Sequence, residues 1–178
     1  MSGIISSIGS RSGSIDQITK PQYAFRSSGF NSSYTCPGTS VYGIIGSGGF
    51  PWNDNTSNNR SFDIGGIFNP ADGKMTCPVS GVWAIGANIW IDGVTDGDVL
   101  LIAVYVDSNE VMVQKVPKAV DANTFGTANF THLVYANEGE AVTVKIVNGS
   151  GSRGTVYNTG NYANYWGWLV SSSGLMIQ

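Results

Sequence analysis

An all-β fold is what this sequence predicts, and three observations carry the prediction. The first is the alternation across residues 82–91, which sets Trp83, Ile85, Ala87, Ile89 and Ile91 on one face and Val82, Ala84, Gly86, Asn88 and Trp90 on the other. Successive strand side chains point to opposite faces, so a wholly apolar face predicts burial against a second layer. The second is punctuation: 24 glycines, with many serines and asparagines, separate short runs rich in aromatic and β-branched residues, as turns linking short strands do. The third is charge. Hydrophobic residues make up 42% of the chain and charged residues only 12%, against about 25% charged in ordinary globular chains. A monomer so poor in charge is badly solvated, which predicts that part of the surface is covered by partners.

At 178 residues the chain accommodates one domain and a tail, divided here into an extended N-terminal arm, 1–20, and a body, 21–178. The formal net charge is −3 and the pI about 4.9; with no basic stripe to neutralise phosphates, nucleic-acid binding is not expected. No apolar run approaches the roughly 18 residues needed to cross a bilayer, so membrane insertion is not expected either. No basic residue precedes Ile4 and Ile5 and no continuous apolar segment follows, which predicts synthesis in a cytoplasm rather than export.

In chain order, residues 1–13 are a Ser/Gly segment bearing Ile4, Ile5, Ile8 and Arg11. Its glycines and serines oppose a stable helix, and apolar residues in an uncharged tail gain by docking on another protein, so this arm is read as an anchor. Tyr23 and Phe25 alternate with polar neighbours as a first strand, and 41–45 makes a second. The 15 residues from Gly46 to Arg60 form a long loop with Phe50 and Trp52 around Pro51, either a local apolar plug or a ligand platform. Asp72-Gly73 is a hairpin turn ahead of the long strand 82–91. Asp92, Asp96 and Asp98 lie in one turn; hard cations want several oxygens, but Asp-Gly pairs are ordinary turn formers, so calcium is only a weak candidate and no metal is expected.

Residues 99–106, VLLIAVYV, are apolar at every position, so both faces of that strand need cover. Leu100, Ile102 and Val104 are therefore candidates for a subunit interface, as are Tyr135, Tyr165 and Trp166 further on. In 127–135 the alternation sets Phe130, His132 and Val134 on one side and Leu133 and Tyr135 on the other; His132, the sole histidine, reads as a packed residue rather than a base. Residues 141–147 point Val142, Val144 and Ile146 inward and Thr143 and Lys145 outward, and the final strand places Trp166, Trp168 and Val170 together. Tyrosines and asparagines interleave from Tyr157 to Tyr165; aromatic faces stack on sugar rings and amides bond hydroxyls, so Trp52, Tyr157, Asn158, Tyr162 and Asn164 are candidate glycan-binding residues.

Catalysis finds no footing. There is no G-x-S-x-G elbow, no phosphate-cradling loop and no metal-ligand cluster, so neither an enzyme nor a cofactor is expected. Cys36 and Cys77 each stand between Thr and Pro; in a reducing compartment two buried thiols are favoured over a disulfide.

The segment Gly73, Met75-Thr76, Pro78-Val79, Gly81-Val82-Trp83 resembles the G-x-[FM]-T-x-P-x-x-G-V-[YW] signature of C1q-like domains, relatives of the tumour necrosis factor fold. Leu133 to Val144 resembles that family's L-x-L-x-x-G-D-x-V-x-V segment, with Glu140 where Asp is usual, and Tyr165 to Val170 resembles its closing F-x-G-[FW]-L-[LV] strand. The resemblance spans roughly residues 40–171 and implies an antiparallel jelly-roll sandwich of about ten strands that usually forms homotrimers. The opening dozen residues resemble the N-termini of small structural proteins of tailed, notably aquatic, phages. Together these imply a non-enzymatic, trimeric virion protein, attached through its arm to another virion protein and displaying its body as a tail-fibre or host-attachment head able to touch a surface glycan. Capsid decoration at local threefolds is the alternative, and a soluble lectin-like or cytokine-like ligand a second.

Overall fold

Two antiparallel sheets face each other across one apolar core. The computed structural model describes residues 22–29, 34–35, 43–44, 61–93, 99–116, 126–148, 155–156 and 163–172. The anchoring-arm residues Ile4, Ile5, Ile8 and Arg11, together with Trp52, Asp96, Asp98, Tyr157, Asn158, Tyr162 and Cys36, lie outside them. The strands are β1 (Ala24–Ser28), β2 (Tyr34–Thr35), β3 (Gly43–Ile44), β4 (Phe62–Ile64), β5 (Phe68–Asn69), β6 (Lys74–Thr76), β7 (Gly81–Asp92), β8 (Leu100–Val106), β9 (Asn109–Lys115), β10 (Gly126–Ala136), β11 (Ala141–Asn148), β12 (Thr155–Val156) and β13 (Ala163–Ser172).

The first sheet runs β2-β12-β7-β13-β1-β4, with β10 on the other side of β7; the second runs β5-β6-β11-β8-β9, with β3 also on β11. The 12-residue β7 is the central plank, paired along most of its length with β13 and β10. Its inward face is the one read from the alternation: Trp83, Ile85, Ala87, Ile89 and Ile91 are each 0% exposed. Opposite them the second sheet contributes Met75, Leu100, Ile102, Val104, Val142, Val144 and Ile146 to the same core. Burying a large aliphatic side chain yields about 1.5–3 kcal/mol, so this double row is the main source of stability.

The turns do what their residues suggest. Gly73 takes φ 68°, its N–H donates to the Asn69 carbonyl, and the Asp72 carboxylate accepts the Lys74 N–H at 3.1 Å, closing the β5–β6 hairpin. Between β8 and β9, Asp107 sits in the left-handed region at φ 52°, its N–H donating to the Ala141 carbonyl and its Oδ1 accepting the Ala141 N–H at 2.9 Å. Beside it the Cys77 N–H donates to the carbonyl of Glu140 and the Gly139 N–H to that of Cys77. One end of the sandwich is laced together by these four bonds.

The structure corrects the reading of β8. Leu100, Ile102 and Val104 are 1%, 0% and 0% exposed in the isolated chain and pack into the core between the sheets, so they have no surface to give to a neighbour. The opposite face of β8 carries Leu101, Ala103 and Tyr105, and the chain covers it itself. Lys145, across from Ala103, lays its ammonium 3.6 Å from the centre of the Tyr105 ring, and the Tyr105 hydroxyl donates to Glu110 at 2.9 Å. A lysine stem spread over apolar surface with its charge on an aromatic ring replaces a partner there. Tyr165 is likewise a core residue, 0% exposed, edge-on to Phe25 and Phe68. Its hydroxyl donates to the Val142 carbonyl at 3.3 Å, and burial pushes its ionisation far above the usual tyrosine range.

Candidate functional site

The outward face of the first sheet is the candidate site, and strand register assembles it. Leu133 on β10, Ala84 on β7, Trp168 on β13, Ala24 on β1 and Ile64 on β4 lie side by side in one row crossing five strands. The next row is Thr131, Gly86, Trp166, Arg26 and Phe62, and the one after it Asn129, Asn88, Asn164 and Ser28. Tyr135 and Val82 pair at one end of the face and Thr127 and Trp90 at the other. Trp166 takes its place because Gly86, its cross-strand partner, has no side chain: a Cβ there would overlap the indole.

The β4 margin is held in place by its own loop. The Asp63 carboxylate accepts the N–H groups of Ile67 and Phe68 at 2.9 and 3.1 Å, and the Ser28 N–H donates to the Ser61 hydroxyl at 3.2 Å. Phe62 and Ile64 thereby stand on the outward face, 46% and 51% exposed. Across the five strands from β4 to β10 lies a groove of about 450 Å³, its walls including Arg26, Phe62, Asn88, Asn129, Asn164 and Trp166.

Of the residues nominated for recognition, Asn164 is the one inside the described residues, and it serves the scaffold. It is 6% exposed, and its side-chain carbonyl accepts bonds from the Arg26 guanidinium at 2.9 Å and the Ser28 hydroxyl at 2.8 Å. Of the interface nominees, Tyr135 and Trp166 do lie on this outward face, Tyr135 half exposed and Trp166 part-buried in the groove wall. Nothing in the sequence marks Arg26, Asn88 and Asn129 as parts of one site. Alternation did place Asn88 outward, but its alignment with Asn129 and Asn164 is a property of register between distant strands, which sequence does not print.

The reactive side chains among the described residues stand apart from one another. Cys77 is buried and free, and burial, reinforced by the Glu140 and Asp107 carboxylates, pushes its thiol up to about 12; with so little thiolate it is a poor nucleophile. His132 is half-buried in β10 between the buried Phe130 and Val134. Asp92 accepts the Gly93 N–H at 2.7 Å, and no three His, Cys, Asp or Glu side chains converge among the described residues. No described helix is long and apolar enough to cross a membrane.

No sequence-family model and no curated protein sequence matches the chain. Solved structures do. The globular domain of zebrafish complement 1qA protein is similar with a TM-score of 0.54 at 14% identity, over 86% of this chain and all of that one. The Eiger TNF of S. frugiperda is similar with a TM-score of 0.57 at 10% identity, over 89% of this chain and 99% of that one. The fold is a C1q/TNF-like jelly roll. In this jelly roll β7 and β13 occupy the middle of the first sheet, while β6 and β11 lie in the second, so the segments that carried the sequence resemblance are shared between the two sheets.

Proposed function

We propose that this jelly roll is a non-enzymatic, homotrimeric structural protein of a phage particle, whose copies meet through the outward face of the first sheet. One observation carries the self-association. Of the nine large hydrophobic residues left exposed among the described residues, six (Phe62, Ile64, Leu133, Tyr135, Trp168 and Val170) belong to β4, β10 and β13 of that sheet. Contiguous apolar area of this kind marks an interaction surface, and a chain with only 12% charged residues has little else to keep it dispersed. The face holds both halves of a contact: Leu133 and Tyr135 project from one end of β10, and the groove runs across the strands from Phe62 on β4 to Asn129 near the other end of β10. Features that differ across one face join head to tail, and a head-to-tail contact that closes makes a ring. Three copies is the number the family resemblance implies.

In the particle, the N-terminal arm would dock on another virion protein and the trimer would form the outward head of a tail fibre or appendage contacting the host surface. The support for this placement is the resemblance of the opening residues to phage structural proteins. Native mass spectrometry and light scattering of the full chain test the assembly: the expected mass is three times the 18.8 kDa of one chain, and a monomer at micromolar concentration overturns it. Cryo-electron microscopy of particles tests the placement. Density at the tail periphery is the expected result; density over the capsid replaces the appendage with a decoration protein, and removal of residues 1–13 is expected to leave a folded trimer that no longer enters particles.

A further inference from the structure

The exposed face of the first sheet is interrupted by a polar stripe. The row Leu133, Ala84, Trp168, Ala24 and Ile64 is apolar from end to end, yet two rows away Asn129, Asn88 and Asn164 stand abreast on the adjacent strands β10, β7 and β13, with Ser28 continuing the line. One end of the stripe is braced, since Asn164 is buried and accepts bonds from both Arg26 and Ser28. The other end is unspent: neither Asn88 nor Asn129 has a side-chain hydrogen bond to any described residue, and the one ion pair among those residues joins Lys74 to Asp72 and leaves Arg26 out. Asn88 is already half-buried, and both asparagines line the groove.

We infer that this asparagine ladder sets the register of self-association and restricts the partner on this face to another copy of the chain, an inference that rests on reading the face as a self-interface. The apolar rows by themselves are permissive. A partner displaced by one strand, about 4.8 Å, or by two residues along a strand, about 7 Å, still lays apolar surface on apolar surface. The ladder removes that freedom. Each carboxamide has two donors and a two-lone-pair acceptor, and a guanidinium with one of five N–H groups engaged has four to place. Covered by a neighbour, these groups need matched acceptors and donors at fixed positions, and each slip leaves several unmatched. One unmatched buried amide lowers association on the order of tenfold. A buried asparagine that fixes register at some cost in affinity is a known device of helical interfaces, and here the same physics operates on a sheet.

The test replaces the unspent end of the ladder and leaves its braced end alone. Asn88→Leu/Asn129→Leu is compared as full chain with the unaltered protein by native mass spectrometry, sedimentation on dilution and hydrogen exchange, with a thermal melt to confirm folding. The expected variant resists dilution at least as well but spreads over more than one assembly mass. Asn88→Ser/Asn129→Ser, which keeps donors and acceptors in place, is expected to retain the single mass. A leucine variant with the same single mass and the same exchange footprint as the unaltered protein overturns the ladder's role. Trp168→Asp separates this from the underlying reading: if it leaves the mass unchanged, the face is not the self-interface and both proposals fall.

Discussion

The two sheets present similar faces to each other and opposite faces to the outside. Outside the second sheet, the apolar residues of β8 are roofed by their own chain: Lys145 lies over Tyr105, Tyr105 holds Glu110, and Ala103 beneath them is 0% exposed. Outside the first sheet, β4, β10 and β13 leave Phe62, Leu133, Tyr135 and Trp168 between 41% and 60% exposed, around a groove lined by one guanidinium and three carboxamides. Composition alone does not separate these faces, since β8 is the more hydrophobic strand. What separates them is whether a long amphipathic side chain lies across the apolar row from within the chain. The sealing is confined to β8: among the described residues the second sheet still leaves Val111 and Val113 of β9 exposed, against six large apolar residues on the first.

Five variants break or sharpen this comparison. The largest effect is expected from Leu133→Asp/Trp168→Asp, which puts two carboxylates on the unsealed face. Association measured by sedimentation should weaken by about 100-fold or more, as loss of buried aromatic anchors does, while Tyr105→Asp on the sealed face leaves the assembly mass unchanged. Gly86→Val comes next: the added side chain displaces the Trp166 indole, and overpacking of this kind costs about 1–3 kcal/mol, read as a lower melting temperature together with altered tryptophan fluorescence. Lys145→Ala strips the roof from the second sheet and should cost about 0.5–1 kcal/mol for the lost cation–π contact, with new binding of an apolar dye to that sheet. Smallest is Thr143→Val. The Thr143 hydroxyl is buried without a hydrogen-bond partner among the described residues, so an isosteric apolar replacement is expected to stabilise by about 1 kcal/mol in a denaturant titration.

How much of this was legible beforehand depended on whether a strand carried a phase mark. In β7 the small and polar residues Gly86 and Asn88 break the apolar run at alternate positions, and the buried face was read correctly from Trp83 to Ile91. In β10, Leu133 and Tyr135 were assigned to the side opposite Phe130 and Val134, and they are the exposed pair. Residues 99–106 carry no polar residue at all, so sequence supplies no phase. The run offers Leu100, Ile102 and Val104 to an interface as readily as to the core, and the core takes them. Tyr165 failed for a related reason: a tyrosine reads as a surface aromatic until a buried acceptor, here the Val142 carbonyl, is found for its hydroxyl. The groove was out of reach altogether, because Arg26, Asn88, Asn129 and Asn164 are neighbours only through three separate strand pairings.

The lacing at the Asp107 end bears on how the body yields under load. Asp107, Cys77, Gly139, Glu140 and Ala141 tie the β6–β7, β8–β9 and β10–β11 connections to one another through main-chain groups, so a pull applied at that end is shared across both sheets at once. Parting the two sheets at this end would therefore require several main-chain bonds, in three separate connections, to break together rather than one at a time.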